Sequence, residues 1–348
     1  MGLVRRLRVS LEAMSPAYFG MVMATGILSL AAHLLSVPRL PRAFFALNWV
    51  LFAIIALLAL ARACWHTRRV LADLLDHSSA PGFFTFVAAC GVLGSQCLII
   101  GGSLHLATLL GSLGLIAWVV LTYTIFTVLT VKEEKPGLDR GINGGWLLAV
   151  VATQSMAVLS ALIAVQVPQP MRLELNFFAL SMWLWGGMLY IWMMSLIFYR
   201  YTFFQFSPAD LSPPYWINMG AAAISTLAGT MLVAAAPHSP VIEQVLPFVR
   251  GLTLLWWATA TWWIPMLVIL GVWRHILRRF PLRYDPLYWG AVFPLGMYTV
   301  CTARISRAVD APYLLSISRV FVYVALGAWA LAAAGMTLSL VRRGRSSS

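Results

Sequence analysis

The sequence predicts an all-α integral membrane protein: ten transmembrane helices forming five helical hairpins, with an inner ring of the five odd-numbered helices around a central pore. Three observations predict it. The 348 residues are 61% hydrophobic and 10% charged, with a mean hydropathy of +0.85; a soluble domain carries about a quarter charged residues. Stretches free of Asp, Glu, Lys and Arg recur along the whole chain, and a bilayer needs about 20 apolar residues per helix. The alternate stretches also open on one proline–aromatic signature.

Taken in order, the helix cores fall near 17–35 (α1), 43–61 (α2), 82–101 (α3), 105–130 (α4) and 145–165 (α5). They continue near 175–198 (α6), 214–235 (α7), 246–272 (α8), 287–306 (α9) and 313–340 (α10), making residues 1–348 one transmembrane domain. The uncharged block 77–131 is too long for one crossing and divides at Gly101-Gly102-Ser103. The runs are too continuous for the alternating strands of an outer-membrane barrel.

The net charge of +13 is a topology signal before it is a binding signal, so nucleic acid is not an expected partner. Arg5, Arg6 and Arg8 precede α1, and Arg62, Arg68 and Arg69 follow α2. Lys132, Lys135 and Arg140 follow α4, and Arg200 follows α6. Arg274, Arg278, Arg279 and Arg283 follow α8, and Arg342, Arg343 and Arg345 close the chain. Alternating helices put all of these on one side, leaving the other with Arg39, Arg42, Arg172, Arg250, Arg304 and Arg307. The positive-inside rule then places both termini in the cytoplasm. The basic N-terminus leads into a span long enough to stay in the membrane, so no cleavable signal peptide is expected.

"SPAYFG" (15–20), "APGFFT" (80–85), "SPPYWI" (212–217) and "DPLYWG" (285–290) start α1, α3, α7 and α9; "NGGWLL" (143–148) starts α5 with glycine in place of proline. Successive starts lie 65, 63, 70 and 72 residues apart, counting from Pro16, Pro81, Gly144, Pro214 and Pro286. Each step is one hairpin, and a fixed period of this kind marks a structural repeat. Proline suits the first helical turn, where its missing N–H is not needed. Five parallel odd helices bring their partly positive N-termini to one mouth, with Phe19, Phe84, Trp146, Trp216 and Trp289 near it; such ends favour anions.

No Asp or Glu lies deep in a span. Glu174 and Glu243 fall in the first turns of α6 and α8, and Asp310 in the turn before α10. Coupled transporters usually hold a titratable group within the membrane, so this distribution favours passive conduction. Cys64, Cys90, Cys97 and Cys301 have no metal-binding spacing, and the six histidines are peripheral. No metal, cofactor or catalytic motif is expected, and the chain does not read as an enzyme. Arg304 lies eleven residues, about three turns, beyond Phe293, so the two share a helix face. Arg319 falls inside α10, and Arg250 is spaced to reach Glu243.

"SPAYFGMVMATGILSL", "PPYWINMGAAAIS" and "VFPLGMYTV", with "GINGGWLLAVVATQS" in α5, resemble conserved segments of the tellurite-resistance/dicarboxylate transporter family. That family includes bacterial tellurite-resistance channel homologues, fungal malate and sulfite transporters, and plant slow-type anion channels. The resemblance implies ten helices with an inner ring of five, a homotrimer with one pore per subunit, and a gating phenylalanine beside a proline in α9. By motif these are Phe293 and Pro294. The partners so implied are small inorganic or organic anions, besides membrane lipid.

Two transport readings follow. The first is a passive anion channel gated by Phe293, with Phe19, Thr25, Phe84, Gln154, Trp216, Met297 and Arg304 as pore-lining candidates. The second is a proton-coupled or exchange carrier for a C4-dicarboxylate, sulfite or tellurite, in which Thr25, Ser29 and Gln154 hydrogen-bond the substrate.

Overall fold

A computed structural model describes residues 10–282 and 284–345. Arg5, Arg6, Arg8 and Arg283 lie outside these, as do the side chains of Arg343 and Arg345. Ten long helices organise the chain: α1 (Pro16–Leu34), α2 (Leu40–Trp65), α3 (Ala80–Ile99), α4 (Leu104–Val131), α5 (Gly144–Gln166), α6 (Met171–Phe203), α7 (Pro213–His238), α8 (Leu246–Leu277), α9 (Trp289–Ala308) and α10 (Leu314–Arg345). Short helices Thr67–Leu74 and Pro240–Gln244 occupy loops. Glu243 sits in the second of these rather than in α8 itself. Among the described residues there is no strand.

Nine of the ten are long and apolar enough to cross a membrane; α9 is the exception. The reason is its surroundings. From Val292 to Ala303 every α9 residue is buried against other helices, so Pro294, Gly296, Thr299 and Thr302 never meet lipid. A helix enclosed by protein need not satisfy the bilayer's demand for apolar side chains.

Burial separates the two sets of helices. The most apolar windows of α1, α3, α5 and α7 are 72–83% buried, against 11–22% for α2, α4, α8 and α10, with α6 intermediate at 56%. Each odd helix packs against the even helix that follows it, giving the hairpin pairs α1–α2, α3–α4, α5–α6, α7–α8 and α9–α10. The odd helices also pack in sequence on one another, and α9 packs back on α1.

Each odd helix opens on a tight 3₁₀ turn: Pro16–Phe19, Ala80–Phe83, Gly144–Leu147, Pro213–Trp216 and Pro286–Tyr288. These five turns pack on one another in the same circular order, so the five N-termini share one end of the molecule. Ser15, Asn143 and Asp285 cap three of them by accepting from the backbone N–H two residues on. Gly144 stands where other repeats carry proline or alanine because a Cβ there falls 2.5 Å from the Pro214 carbonyl oxygen of the neighbouring turn.

At least one hydrogen bond ties each even helix to the next odd one. Asn48 of α2 donates to Gln96 of α3 (2.6 Å), Trp118 of α4 to Thr153 of α5 (2.8 Å), and Trp183 of α6 to the Ser225 carbonyl of α7 (2.8 Å). Trp257 of α8 donates to Thr302 of α9 (3.1 Å), and Trp329 of α10 to Thr25 of α1 (3.0 Å). Polar side chains between membrane helices commonly serve this purpose.

At the N-terminal end of the odd helices, two buried arginines anchor the loops. Arg62 pairs with Asp73 at 2.5 Å and donates to the carbonyls of Leu11 and Glu12. Arg200 donates to the Asp139 carbonyl, the Tyr215 hydroxyl and Asp210. Arg250 and Arg319 are exposed. Among the described residues, Arg250 makes no ion pair with Glu243.

Candidate functional site

Two cavities are each lined by residues of all five odd helices. The first, about 20 Å³, sits near the 3₁₀ turns and is lined by Gly20, Met23, Thr85, Leu148, Ile217, Trp289, Gly290 and Phe293, among others. The second, about 60 Å³, is lined by Ile27, Leu30, Gly91, Ser95, Ser155, Val158, Ile224, Leu227, Met297, Val300 and Arg304, among others. Phe293 borders the first and Met297, one turn on, borders the second. Phe293 is 1% exposed, so closely packed side chains fill the interval.

The walls are ordered by the repeat. The residues eleven beyond the first residue of each 3₁₀ turn (16→27, 80→91, 144→155, 213→224, 286→297) are Ile27, Gly91, Ser155, Ile224 and Met297, and every one lines the second cavity. Seven beyond the starts lie Met23, Val87, Val151, Gly220 and Phe293; eighteen beyond lie Leu34, Leu98, Leu162, Met231 and Arg304. Offsets of 7, 11 and 18 recur on one helix face. Phe293 is therefore the one aromatic in its layer and Arg304 the one charge in its own.

Glycine allows close packing on α7 and α9. A Cβ on Gly220 falls 2.7 Å from Pro294 Cγ, and one on Gly296 falls 2.7 Å from Ile27. Pro294 thus packs directly on the α7 backbone, beside the Phe293 layer. Its ring also removes the N–H that an uninterrupted helix would direct to the Gly290 carbonyl. Arg304 is partly buried and has no hydrogen bond or ion pair among the described residues, and the remaining wall of the second cavity is largely apolar. Ser95 and Ser155 turn their hydroxyls back onto the carbonyls of Gly91 and Val151. Arg304 is therefore the strongest donor facing this space, with His33 near it at the rim.

The expected pore-lining set divides. Met297 and Arg304 line the second cavity, and Phe293 lines the first. Thr25 instead accepts from Trp329, and Gln154 donates to the Trp183 carbonyl at 3.1 Å, so both face even helices. Phe19 packs its ring against Phe52 and Phe86. Phe84 is fully buried with its ring 6.4 Å from Phe126 of α4, and it lines neither cavity. Trp216 is partly buried at the start of α7 and lines neither cavity. Ser29 donates to the Pro41 carbonyl at 2.7 Å. The division has a simple cause: these helices are apolar all round, so composition does not say which face points inward. Counting eleven from the repeat starts gives Ile27 and Ser155 but Val92 and Ser225, because Pro81 and Pro214 stand one residue inside their turns.

The described residues contain no cluster of His, Cys, Asp and Glu able to hold a metal ion. Cys90, Cys97 and Cys301 are buried free thiols, and Cys64 is an exposed one.

The fold is that of a multi-pass helical membrane protein, and comparison with known proteins points to a channel or transporter rather than an enzyme. The chain matches the voltage-dependent anion channel family over residues 13–337 and belongs to that family, the tellurite-resistance group of the sequence comparison. An uncharacterized membrane protein of Mycobacterium tuberculosis is 40% identical over 163 residues, covering 46% of this chain and 82% of the relative. An uncharacterized transporter of Methanocaldococcus jannaschii is 26% identical over 301 residues, covering 84% of this chain and 83% of the relative. A second transporter of that organism is similar to the same degree.

Proposed function

We propose that the chain conducts small anions along the axis of an inner ring formed by α1, α3, α5, α7 and α9, and that Phe293, beside Pro294, gates the path. The observation that carries this reading is the pair of cavities, each lined by all five odd helices, with Phe293 in the wall of the first and Met297, one turn on, in the wall of the second. Arg304 supplies a positive charge on one side and the five helix N-termini a partial positive potential on the other. The basic loops support a cytoplasmic orientation for the N-terminal mouth and both chain termini, and the family resemblance supports a bacterial inner membrane. The assembly is a homotrimer with one path per subunit, as the family resemblance implies.

Passive conduction fits better than a coupled carrier for a C4-dicarboxylate, sulfite or tellurite. Thr25, Ser29 and Gln154, which would hold a carried substrate, are engaged in helix packing. The test uses purified protein in liposomes. Phe293→Ala raises chloride or nitrate flux at least about tenfold, an effect equal to about 1.4 kcal/mol off the barrier. Flux is also indifferent to an imposed pH gradient. An unchanged flux in a well-folded variant removes the gate; flux that follows the pH gradient restores the carrier.

A further inference from the structure

The largest cavity described lies off the axis. Its volume is about 570 Å³, and it is a groove between the C-terminal halves of α4 and α6, closed at one end by the loop before α5. Phe126, Leu189, Trp192, Met193 and Leu196 form its walls, and Trp146, from the opening turn of α5, reaches into it. The rim at the N-terminal end of the odd helices is polar. His77 and Thr127 line it, and Lys132 lies close enough to His77 to help hold the imidazole below its ordinary pKa, after burial as the first cause.

We infer that this groove holds one acyl chain of a membrane phospholipid, from the leaflet on the side of the 3₁₀ turns, with the headgroup at the His77–Lys132 rim. The length argues for it. From Trp185 to Leu196 the α6 wall runs eleven residues, about 16 Å at 1.5 Å per residue. One leaflet contributes about 15 Å to the hydrocarbon core. The composition agrees in the main: Phe126, Leu189, Trp192, Met193 and Leu196 are apolar, and the wall is interrupted by Tyr123 and by Thr122, whose buried hydroxyl has no hydrogen-bond partner among the described residues. Water has few partners along such a wall. A groove this concave at the lipid face is matched by a flexible chain.

The charges at the rim decide the headgroup class. The loops flanking the groove carry Lys132, Lys135 and Arg140 against Glu133, Glu134, Asp139 and Asp76; Lys132 also donates to the Leu75 carbonyl at 3.0 Å, and Arg140 lies 3.5 Å from Asp139. A zwitterionic phospholipid, with its phosphate beside Lys132, suits this balance better than an anionic one. Because Trp146 belongs to the circuit of 3₁₀ turns, an occupied groove also braces that circuit from outside. The inference rests on the membrane-spanning fold and is independent of the anion path.

The test is native mass spectrometry of protein released from vesicles of equal phosphatidylethanolamine and phosphatidylglycerol. Wild type is expected to retain one phosphatidylethanolamine per chain. Thr127→Trp/Leu196→Trp changes two exposed groove residues and is expected to cut retention at least about tenfold. Leu60→Trp, on the exposed face of α2, leaves it intact. A wild-type spectrum with no lipid adduct overturns the proposal whatever the variants do. Equal retention by the groove variant overturns the location. Loss of oligomeric order with lipid retention unchanged makes the groove an interface between copies instead. Preference for phosphatidylglycerol overturns the headgroup assignment.

Discussion

Phe293 and Gly220 occupy the same level of the repeat, and their sizes are complementary. The level carries one ring, and the neighbouring α7 backbone is bare so that Pro294 can lie on it. Gly220→Ala puts a methyl 2.7 Å from the Pro294 ring, which has no rotamer by which to retreat. The expected cost is about 1–3 kcal/mol for overpacking, seen as a lower thermal midpoint in detergent. Because α9 must shift to relieve the clash, the same variant changes basal anion flux, whereas Gly251→Ala, whose Cβ meets nothing within 4 Å, changes neither. Arg304 was legible at this scale because it shares the Phe293 face at an eleven-residue spacing. Thr25 and Gln154 were not: being polar and within an inner helix suits a pore wall and a helix seam equally well. The Trp329 and Trp183 partners that decide between them lie hundreds or tens of residues away in sequence.

Helices and their seams carry the next level of argument. The hairpins were readable because charged loops and proline–aromatic starts punctuate the sequence every 63–72 residues. The seams were not, since a tryptophan in an apolar helix looks the same whether it faces lipid or a neighbour. Trp329→Phe keeps the ring contact with Phe44 while deleting the donor to Thr25. Its expected cost is about 0.6–2 kcal/mol, the range for hydrogen bonds between membrane helices. A double-mutant cycle with Thr25→Val recovers that coupling, and strictly additive losses would remove the seam from the account. The Arg200 anchor joins three elements, and its acidic partner supplies a pH test. Burial alone raises the Asp210 pKa, but hydrogen bonds from Ser207 and the Arg200 charge outweigh it and hold the carboxyl below its ordinary value of 3.8. A depressed carboxylate contributes stability above its unfolded pKa and loses it as pH falls through the folded one. The gap in thermal midpoint between wild type and Asp210→Asn is therefore steady from neutral to mildly acid solution. It closes only below about pH 4, the ordinary carboxylate range.

At the scale of the whole molecule, the odd helices are enclosed and the even helices present Leu57, Leu60, Ile116, Val120, Trp192, Ile269 and Leu331 outward. A chain whose lining cavities draw on its own five odd helices needs no second copy to complete them. That separates two architectures which a bulk flux measurement confuses. In one, each subunit of the proposed trimer carries its own path; in the other, subunits surround a shared one. Mixed assemblies of wild type and Phe293→Ala, reconstituted at a series of ratios, distinguish them. With independent paths the added chloride flux rises in direct proportion to the fraction of variant chains, because each opened ring acts alone. With a shared path it follows a higher power of that fraction, since several rings must open together. The measurement is a plot of initial flux against variant fraction at constant total protein. A straight line through every ratio is the expected result, and upward curvature would move the path out of the subunit and into the assembly.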